Sequence, residues 1–566
     1  MNSHGSSLEL KLKIAQLMSM PWLSRSARML GWTAGFLLLI VCIRAVGQSP
    51  ATKAEYIHQS GPHLLTFDEL VQLEKTDDPS PELAANLDQL LHTPFISNEA
   101  FYAGAKPNRP SSEVLGPFLR ATTWNIERGI EFDGIRISLT EPDKFEAYIQ
   151  EKKDPKSKPL SADALAVVKN QLDILKPTDL FILNEVDSGV TRTDYRDVGR
   201  ELAQALHMNY AYAVEFLEID PLNLGLEQVT MADKDAQADI QKSFEPDKSR
   251  YLGLHGTAVL SRYPIRSATI RTLPVCYDWF LGEKKAISKL ESGKRAGANL
   301  VFMERITREV RRGGRTALFV ELAVPESPTG AVTVVAPHLE TKCKPDCRRK
   351  QMASILEWIK AEKNPVILAG DLNTSGTDTS PTSVSKVITN RLKDPDKWAV
   401  TAIRWSTGAP TILLVPVNIM RNKNDPTGFD LPLLSRKKEA KLFGDLNNFR
   451  FDDGNTFDYR GEDARSADNR GGTLSDSNQR ATKGFRYTFA LARTYGGLFG
   501  EYKLDWVFVK GYATDSSKPG GSYKFSPNFA RTLQEVNNAP DESLSDHFPI
   551  TVDVPLTEPA RNLDRP

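Results

Sequence analysis

The chain has 566 residues, 40% of them hydrophobic and 25% charged, the composition of an ordinary globular protein and not of a disordered or multi-span membrane one. Its 72 basic residues balance 72 acidic ones, which excludes a general polyanion binder; a nucleic-acid partner would need a local basic face. That length suits two to four domains or one large sandwich with insertions.

The first 47 residues carry five basic residues and one acidic, and Arg25 and Arg28 precede an apolar run from Met29 to Ile43. Ala45-Val46-Gly47 then offers small residues where a signal peptidase reads. Residues 1–47 are therefore expected to be a secretory signal or an uncleaved N-terminal membrane anchor, with translation starting at Met18 or Met20. Val41 before Cys42 speaks against a lipoprotein anchor. Export would permit a disulfide, and the close spacing of Cys343 and Cys347 selects that pair and leaves Cys276 as a thiol.

Residues 48–115 read as a flexible lead with one amphipathic helix carrying Leu83, Leu87, Leu90 and Leu91. From Phe118 onward, strands alternate with helices. Phe118–Trp124 reads as a strand ending at Asn125-Ile126-Glu127-Arg128-Gly129, Ser161–Leu175 as a capped helix, and Asp179–Glu185 as a buried strand ending in a carboxylate. A helix over Asp194–Leu206 follows, then a strand from Tyr210 to Phe216, where Tyr212 belongs to the core. A charged insertion to Arg250 precedes a strand over Gly256–Leu260. Two more strand runs, Thr316–Val324 and Ala331–Pro337, lead to His338-Leu339-Glu340-Thr341, and a helix over Cys347–Lys363 follows. The apolar run Val366–Ala369 stops abruptly at Gly370-Asp371-Leu372-Asn373, which alone would be an ordinary Asx turn. Residues 374–500 form a long insertion on this scaffold; strand character returns at Lys503–Lys510 and Pro549–Val554, before a tail over 557–566.

Separate strands thus end in Asn125 and Glu127, Glu185, His338, Asp371 and Asn373, Asp505, and Asp546-His547. In a sandwich of sheets, strand ends on one edge converge, so these groups can share one cleft. The inventory is oxygen and imidazole without thiolate, which suits Mg²⁺ or Mn²⁺. Carboxylates, histidines and amides in this mixture supply what phosphoester hydrolysis needs: a cation for phosphate charge, a base for water, an acid for the leaving oxygen and donors for nonbridging oxygens.

The ordered blocks T-W-N-I-E-R-G (123–129), L-N-E-V-D (183–187), H-G-T-A-V-L-S-R-Y-P-I (255–265), P-H-L-E-T (337–341), R-R-K-Q (348–351), G-D-L-N (370–373), K-L-D-W-V-F-V (503–509) and L-S-D-H-F-P-I (544–550) resemble the endonuclease/exonuclease/phosphatase superfamily, with its deoxyribonuclease I-like fold. The resemblance implies an α/β (α+β) four-layer sandwich over residues 116–556, two mostly antiparallel β-sheets packed face to face with helices outside. It also implies roles: Glu185 as principal metal ligand, supported by Asn125, Glu127 and Asp546; Asp371 and Asn373 on water and phosphate; Asp505 orienting His547; and His338 on the transition state. Either Asp371 or His547 would take the proton.

On substrate the residues pull in different directions. Asp187, two residues beyond Glu185, would repel DNA, whereas Arg192, Arg196, Lys284, Lys285, Lys294, Arg295, Arg311, Arg312 and Arg315 could form a basic rim. Tyr277-Asp278-Trp279-Phe280-Leu281 is a candidate membrane-inserting segment. Thr257 stands where the resemblance leads one to expect an amide, which puts a secondary phosphate contact in doubt. The expected partner is a phosphoester substrate, a nucleic acid or a phospholipid or inositol phosphate, with no obligate protein partner. A non-catalytic surface module on this fold is the alternative of another class.

Overall fold

The computed structural model describes residues 55–220 except 156, 246–284, 309–374 except 328, 440–460, 465, 487–490, 501–511 and 522–559. The expected signal or anchor over 1–47 lies outside them, as do most of the 374–500 insertion and Lys285, Lys294 and Arg295. Among the described residues, no helix is long and apolar enough to cross a membrane.

Residues 57–566 form one unit built on two facing sheets. The larger runs, in spatial order, β1 (Gln59–Ser60), β2 (Phe95–Ser97), β6 (Asn209–Glu218), β7 (Leu254–Ser261), β5 (Leu180–Ser188), β4 (Gly116–Arg128), β17 (Ile550–Pro555) and β16 (Asn528–Thr532). Two short strands join its flanks, β3 (Ser111–Ser112) on β4 and β9 (Arg311–Gly313) on β6. The smaller sheet runs β15 (Asp505–Lys510), β12 (Val366–Asp371), β11 (Ala331–Pro337), β10 (Thr316–Ala323) and β8 (Ile265–Thr272). A separate two-stranded piece pairs β13 (Phe489–Ala490) with β14 (Glu501–Tyr502). Among the described residues, all pairings are antiparallel except β4 with β5 and β11 with β12. Each parallel pair needs a crossover. Helices over Phe132–Thr140, Pro142–Glu151 and Ala162–Leu175 make the first, and the helix Pro345–Ile359 makes the second.

Strands buried on both faces read as continuous apolar runs, and here successive residues serve two cores. Leu119 and Ala121 of β4, Leu180 and Ile182 of β5, Val332, Val334 and Ala336 of β11, Ile367 and Ala369 of β12, and Val507 and Val509 of β15 fill the space between the sheets. Their neighbours Phe181, Leu183 and Trp124 turn outward to the helices over Phe132–Leu175 and Val198–Ala205. Val366, Leu368, Trp506 and Phe508 turn outward to Pro345–Ile359 and to Ala440–Asn448, a helix of the long insertion. The result is the four-layer sandwich that the sequence implies.

Some details differ from the sequence reading. The segment before β3 contributes two further helices, Phe67–Lys75 with a Thr66–Glu69 capping box and the short Glu99–Tyr102, and its strand β2 pairs with β6. The helix expected from Asp194 begins at Val198, because Asp194 and Tyr195 take left-handed conformations that cannot start one. The disulfide joins Cys276 to Cys347, across a sequence separation of 71, not Cys343 to Cys347. Cys343 is turned inward, where its thiol meets the Glu340 carbonyl and Arg348 approaches its carbonyl, while Cys347 sits in the first turn of the helix.

Candidate active site

The site is the polar end of the inter-sheet layer. Strand side chains alternate with period two, so the residues that continue the inward phase of each strand are fixed: Asn125 follows Leu119 and Ala121, Asn184 follows Leu180 and Ile182, and His338 follows Val334 and Ala336. Asp371 follows Ile367 and Ala369, and Asp505 precedes Val507 and Val509. Because β4 and β5, and β11 and β12, run parallel, their C-terminal ends fall together. β15 starts at that level, with Asp505 opposite Asp371. β17 is entered from His547 there too, with Ile550 opposite Thr123.

Contacts across the two sheets follow. Asn125 donates its amide to Asp371 Oδ2 at 3.2 Å, and the Asp371 backbone N–H donates to Asn184 Oδ1 at 2.9 Å. A side chain at Gly370 would put Cβ 2.2 Å from the Pro337 carbonyl oxygen, so this close approach needs glycine. The other Asp371 oxygen accepts from Asn373 N–H at 2.7 Å, and the Asn373 amide donates to the Leu339 carbonyl at 2.9 Å, which uses one of its two hydrogens.

Glu127 and Glu185 reach the site through irregularities. Leu183 and Val186 both face the outer core although they are three apart, and the β5 register to β7 shifts between them. The β4 register to β5 shifts likewise between Asn125 and Arg128. Such bulges re-aim side chains. Glu127, Arg128, Glu185 and Asn373 all have positive φ without being glycine, a conformation retained only where surrounding structure imposes it.

His547 sets Nδ1 2.8 Å from Asp505 Oδ2, and its ring meets the Phe489 ring edge to face at 4.9 Å. Its Nε2 lies 3.8 Å from Asp371 Oδ2. His338 places Nε2 3.7 Å from the same oxygen and 4.0 Å from Glu185 Oε1; that buried nitrogen has no hydrogen-bond partner. Asp546 donates its backbone N–H to Glu127 Oε2 at 3.0 Å. All nine residues singled out in the sequence therefore gather at one edge.

The electrostatics divide them. Burial would lower the His547 pKa, but Asp505 and Asp546 outweigh it and hold the imidazole well above its ordinary value. Burial and then the Asp505 charge raise Asp371. Burial would raise Glu185, yet the Arg128 charge pulls it well below the usual range. Burial and Glu127 push Asp546 up, an effect that water tempers because the side chain is 39% exposed. Burial also raises Glu127, with Arg128 opposing and Glu185 reinforcing.

Two donor sets can be considered for a cation. Asp371, Asp505 and His547 bring ligand atoms within 4.8 Å of one another. In that set, however, Asp505 and His547 are already bonded to each other. Glu127, Glu185 and Asp546 instead repel, which is what a divalent cation relieves, and their oxygen chemistry fits Mg²⁺ or Mn²⁺.

Several participants were not singled out from sequence. Asn184 and Glu215 share the inward phase of β5 and β6 and could have been found by it. Arg128, whose Nη1 is 4.0 Å from Glu185 and whose Nη2 is 3.4 Å from Glu309, carries no local signal. Asp187 is corrected: its side chain is fully buried, accepts from Arg192 at 2.6 and 3.0 Å and meets His255 Nδ1 at 2.8 Å, so it presents no charge to a substrate. Among the described residues of the expected basic rim, Arg311 and Arg315 are buried against Glu218, Glu309 and Glu215, Arg192 is half-buried against Asp187, Glu218 and Glu309, and Arg196, Lys284 and Arg312 stay partly exposed. Trp279 and Phe280 are buried, Trp279 donating to Glu340 at 3.0 Å, so they do not project toward a membrane. Thr257 donates to Glu215 and accepts from Asn184 at 3.0 Å, a supporting role behind the site.

A family model described as Endonuclease/Exonuclease/phosphatase family matches residues 122–547. Among solved structures, an endonuclease/exonuclease/phosphatase from Beutenbergia cavernae DSM 12333 is 14% identical, covering 77% of this chain and 71% of that one with a TM-score of 0.33. A Neisseria 3′ phosphatase bound to product DNA hairpin is 12% identical, covering 77% and 99% with a TM-score of 0.33. Sphingomyelinase C from Streptomyces griseocarneus is 11% identical, covering 77% and 99% with a TM-score of 0.28. No curated protein matches.

Proposed function

The chain belongs to the endonuclease/exonuclease/phosphatase family, and from that premise we propose that it is an exported, divalent-metal-dependent phosphodiesterase of nuclease-like type. The observation that carries the reaction is the cross-sheet cluster in which Asn125 bonds Asp371 while His338 and His547 approach the same carboxylate oxygen. Glu185 would be the principal ligand of Mg²⁺ or Mn²⁺, with Glu127, Asp546 and Asn125 around it. Bound there, the cation would supply positive charge to a nonbridging phosphate oxygen.

The chain's own groups do the rest. Asp371 and His547 act as one acid–base unit, Nε2 to Oδ2 at 3.8 Å, between which a water can be oriented and lose its proton. Asp505 holds the His547 ring and stabilises its cation, as a buried carboxylate does behind a catalytic imidazole. Asn373 fixes the Asp371 carboxylate, and His338 offers Nε2 toward the phosphate.

Burial and neutralisation of Asp187 remove the repulsion that counted against a nucleic-acid strand, and burial of Trp279 and Phe280 weakens the lipid-inserting alternative. The Cys276–Cys347 disulfide and the apolar run over 29–43 support export. The test is hydrolysis of a panel, namely plasmid DNA, RNA, sphingomyelin, inositol phosphates and bis-p-nitrophenyl phosphate, with Mg²⁺ and with EDTA. Nucleic-acid cleavage that EDTA abolishes is expected; exclusive cleavage of sphingomyelin would replace the substrate assignment.

A further inference from the structure

His338 and His547 flank Asp371, but the partners behind the two rings are opposite in kind. Behind His547 the partner is a carboxylate, which accepts, so Nδ1 carries a hydrogen. Behind His338 the nearest partner is Nη1 of Arg315, 2.6 Å from Nδ1. A guanidinium only donates and does not lose its proton. Nδ1 of His338 must therefore present a lone pair.

Arg315 is held in place for this. The same Nη1 donates to Glu215 Oε2 at 2.9 Å, Nε lies 3.8 Å from Glu340 Oε2, and the guanidinium sits 5.1 Å over the Phe216 ring. Arg315 is 4% exposed and Glu215 0%. Glu215 Oε2 is also 3.4 Å from His338 Nδ1, farther than the arginine nitrogen, and is the acceptor to which that nitrogen would turn if the guanidinium were absent.

We propose that Arg315 is a positioning residue that fixes His338 as the neutral tautomer with its hydrogen on Nε2, making it a hydrogen-bond donor toward the reacting phosphate and not a proton acceptor. The acid–base work then falls to Asp371 and His547 alone. What Nε2–H faces rests on the phosphoester-hydrolase reading; the tautomer does not.

The experiment is ¹⁵N spectroscopy of the full chain labelled at histidine, with His338→Gln assigning the resonances. His338 is expected to show a protonated-type Nε2 and an unprotonated-type Nδ1. Arg315→Lys, which keeps a donor, should preserve that pattern and most activity. Arg315→Leu should move the hydrogen to Nδ1, toward Glu215, and lower kcat about 10–100-fold with little change in KM. A wild-type His338 protonated on Nδ1, or on both nitrogens, overturns the assignment, and so does an Arg315→Leu variant that keeps the wild-type pattern. If Arg315→Leu does not fold, the wild-type spectrum decides. Should the wild type hydrolyse nothing on the panel while His338 keeps the expected tautomer, the activity reading fails and the assignment of Arg315 stands.

Discussion

Asn125, the last inward residue of β4 before the bulge, reaches across the sandwich to Asp371 at the end of β12 and donates to it at 3.2 Å. The same side chain accepts from the Glu127 N–H at 3.1 Å, so one amide ties the proton-handling carboxylate to the carboxylates assigned to the cation. Asn125→Ala leaves the half-buried Glu127 N–H and a buried carboxylate each short of a partner. It should cost about 1–3 kcal/mol in urea denaturation and lower turnover as well. Loss of turnover with unchanged stability would mean that the amide serves substrate and not this bridge.

Asp505→Asn removes the largest attraction that raises the His547 pKa. A histidine raised in the fold stabilises it most below its ordinary value of about 6.5 and loses that contribution as pH rises through the folded value. With EDTA present, the stability advantage of the wild type over Asp505→Asn should therefore be largest at acidic pH and shrink at alkaline pH. Turnover should fall about 10²–10⁴-fold. Parallel stability curves across pH would contradict the pairing.

Asp179 lies far from this chemistry at the start of the β5 segment. Burial pushes its carboxyl up to about 6, although Asn108 N–H and Arg109 N–H donate to it at 2.6 and 3.2 Å. The protonated form's contribution is fully present below the ordinary value of 3.8 and is lost as pH rises through about 6. Its size is at most about 3 kcal/mol. Asp179→Asn cannot ionise, so denaturation between pH 4 and 7 should show a flatter stability profile for this variant; an unchanged slope would refute the effect.

The Cys276–Cys347 link closes a loop with a sequence separation of 71. Cys276→Ser and Cys347→Ser should each cost about 2–4 kcal/mol and become insensitive to reductant. Cys343→Ser should keep the bond. Thiol titration of denatured, unreduced protein lacking residues 1–47 should find one thiol, and peptide mapping should place it at Cys343.

The sandwich and most of its site are legible in the chain because one rule serves both. The period-two phase that buries Ile367 and Ala369 also aims Asp371, and the phase of Val334 and Ala336 aims His338. Applied further, it would have included Asn184 and Glu215. Glu127 and Glu185 depend on bulges, and a bulge breaks the phase without a residue signature, so their aim is visible only in three dimensions. Arg315 on His338 and Arg192 on Asp187 pair residues from different elements, and sequence spacing says nothing about which arginine spends its charge inside. The disulfide is hidden for the same reason: proximity in sequence favours Cys343, while its side chain turns toward Glu340 and Arg348.

The central claim is tested most directly by the hydrolysis rate of bis-p-nitrophenyl phosphate, compared between the wild type and Glu185→Gln, each with Mg²⁺ and with EDTA. The account predicts wild-type turnover that requires Mg²⁺ and falls at least about 10²-fold in Glu185→Gln, with the variant's melting curve intact. Equal rates in the two proteins, or wild-type turnover unaffected by EDTA, would contradict it.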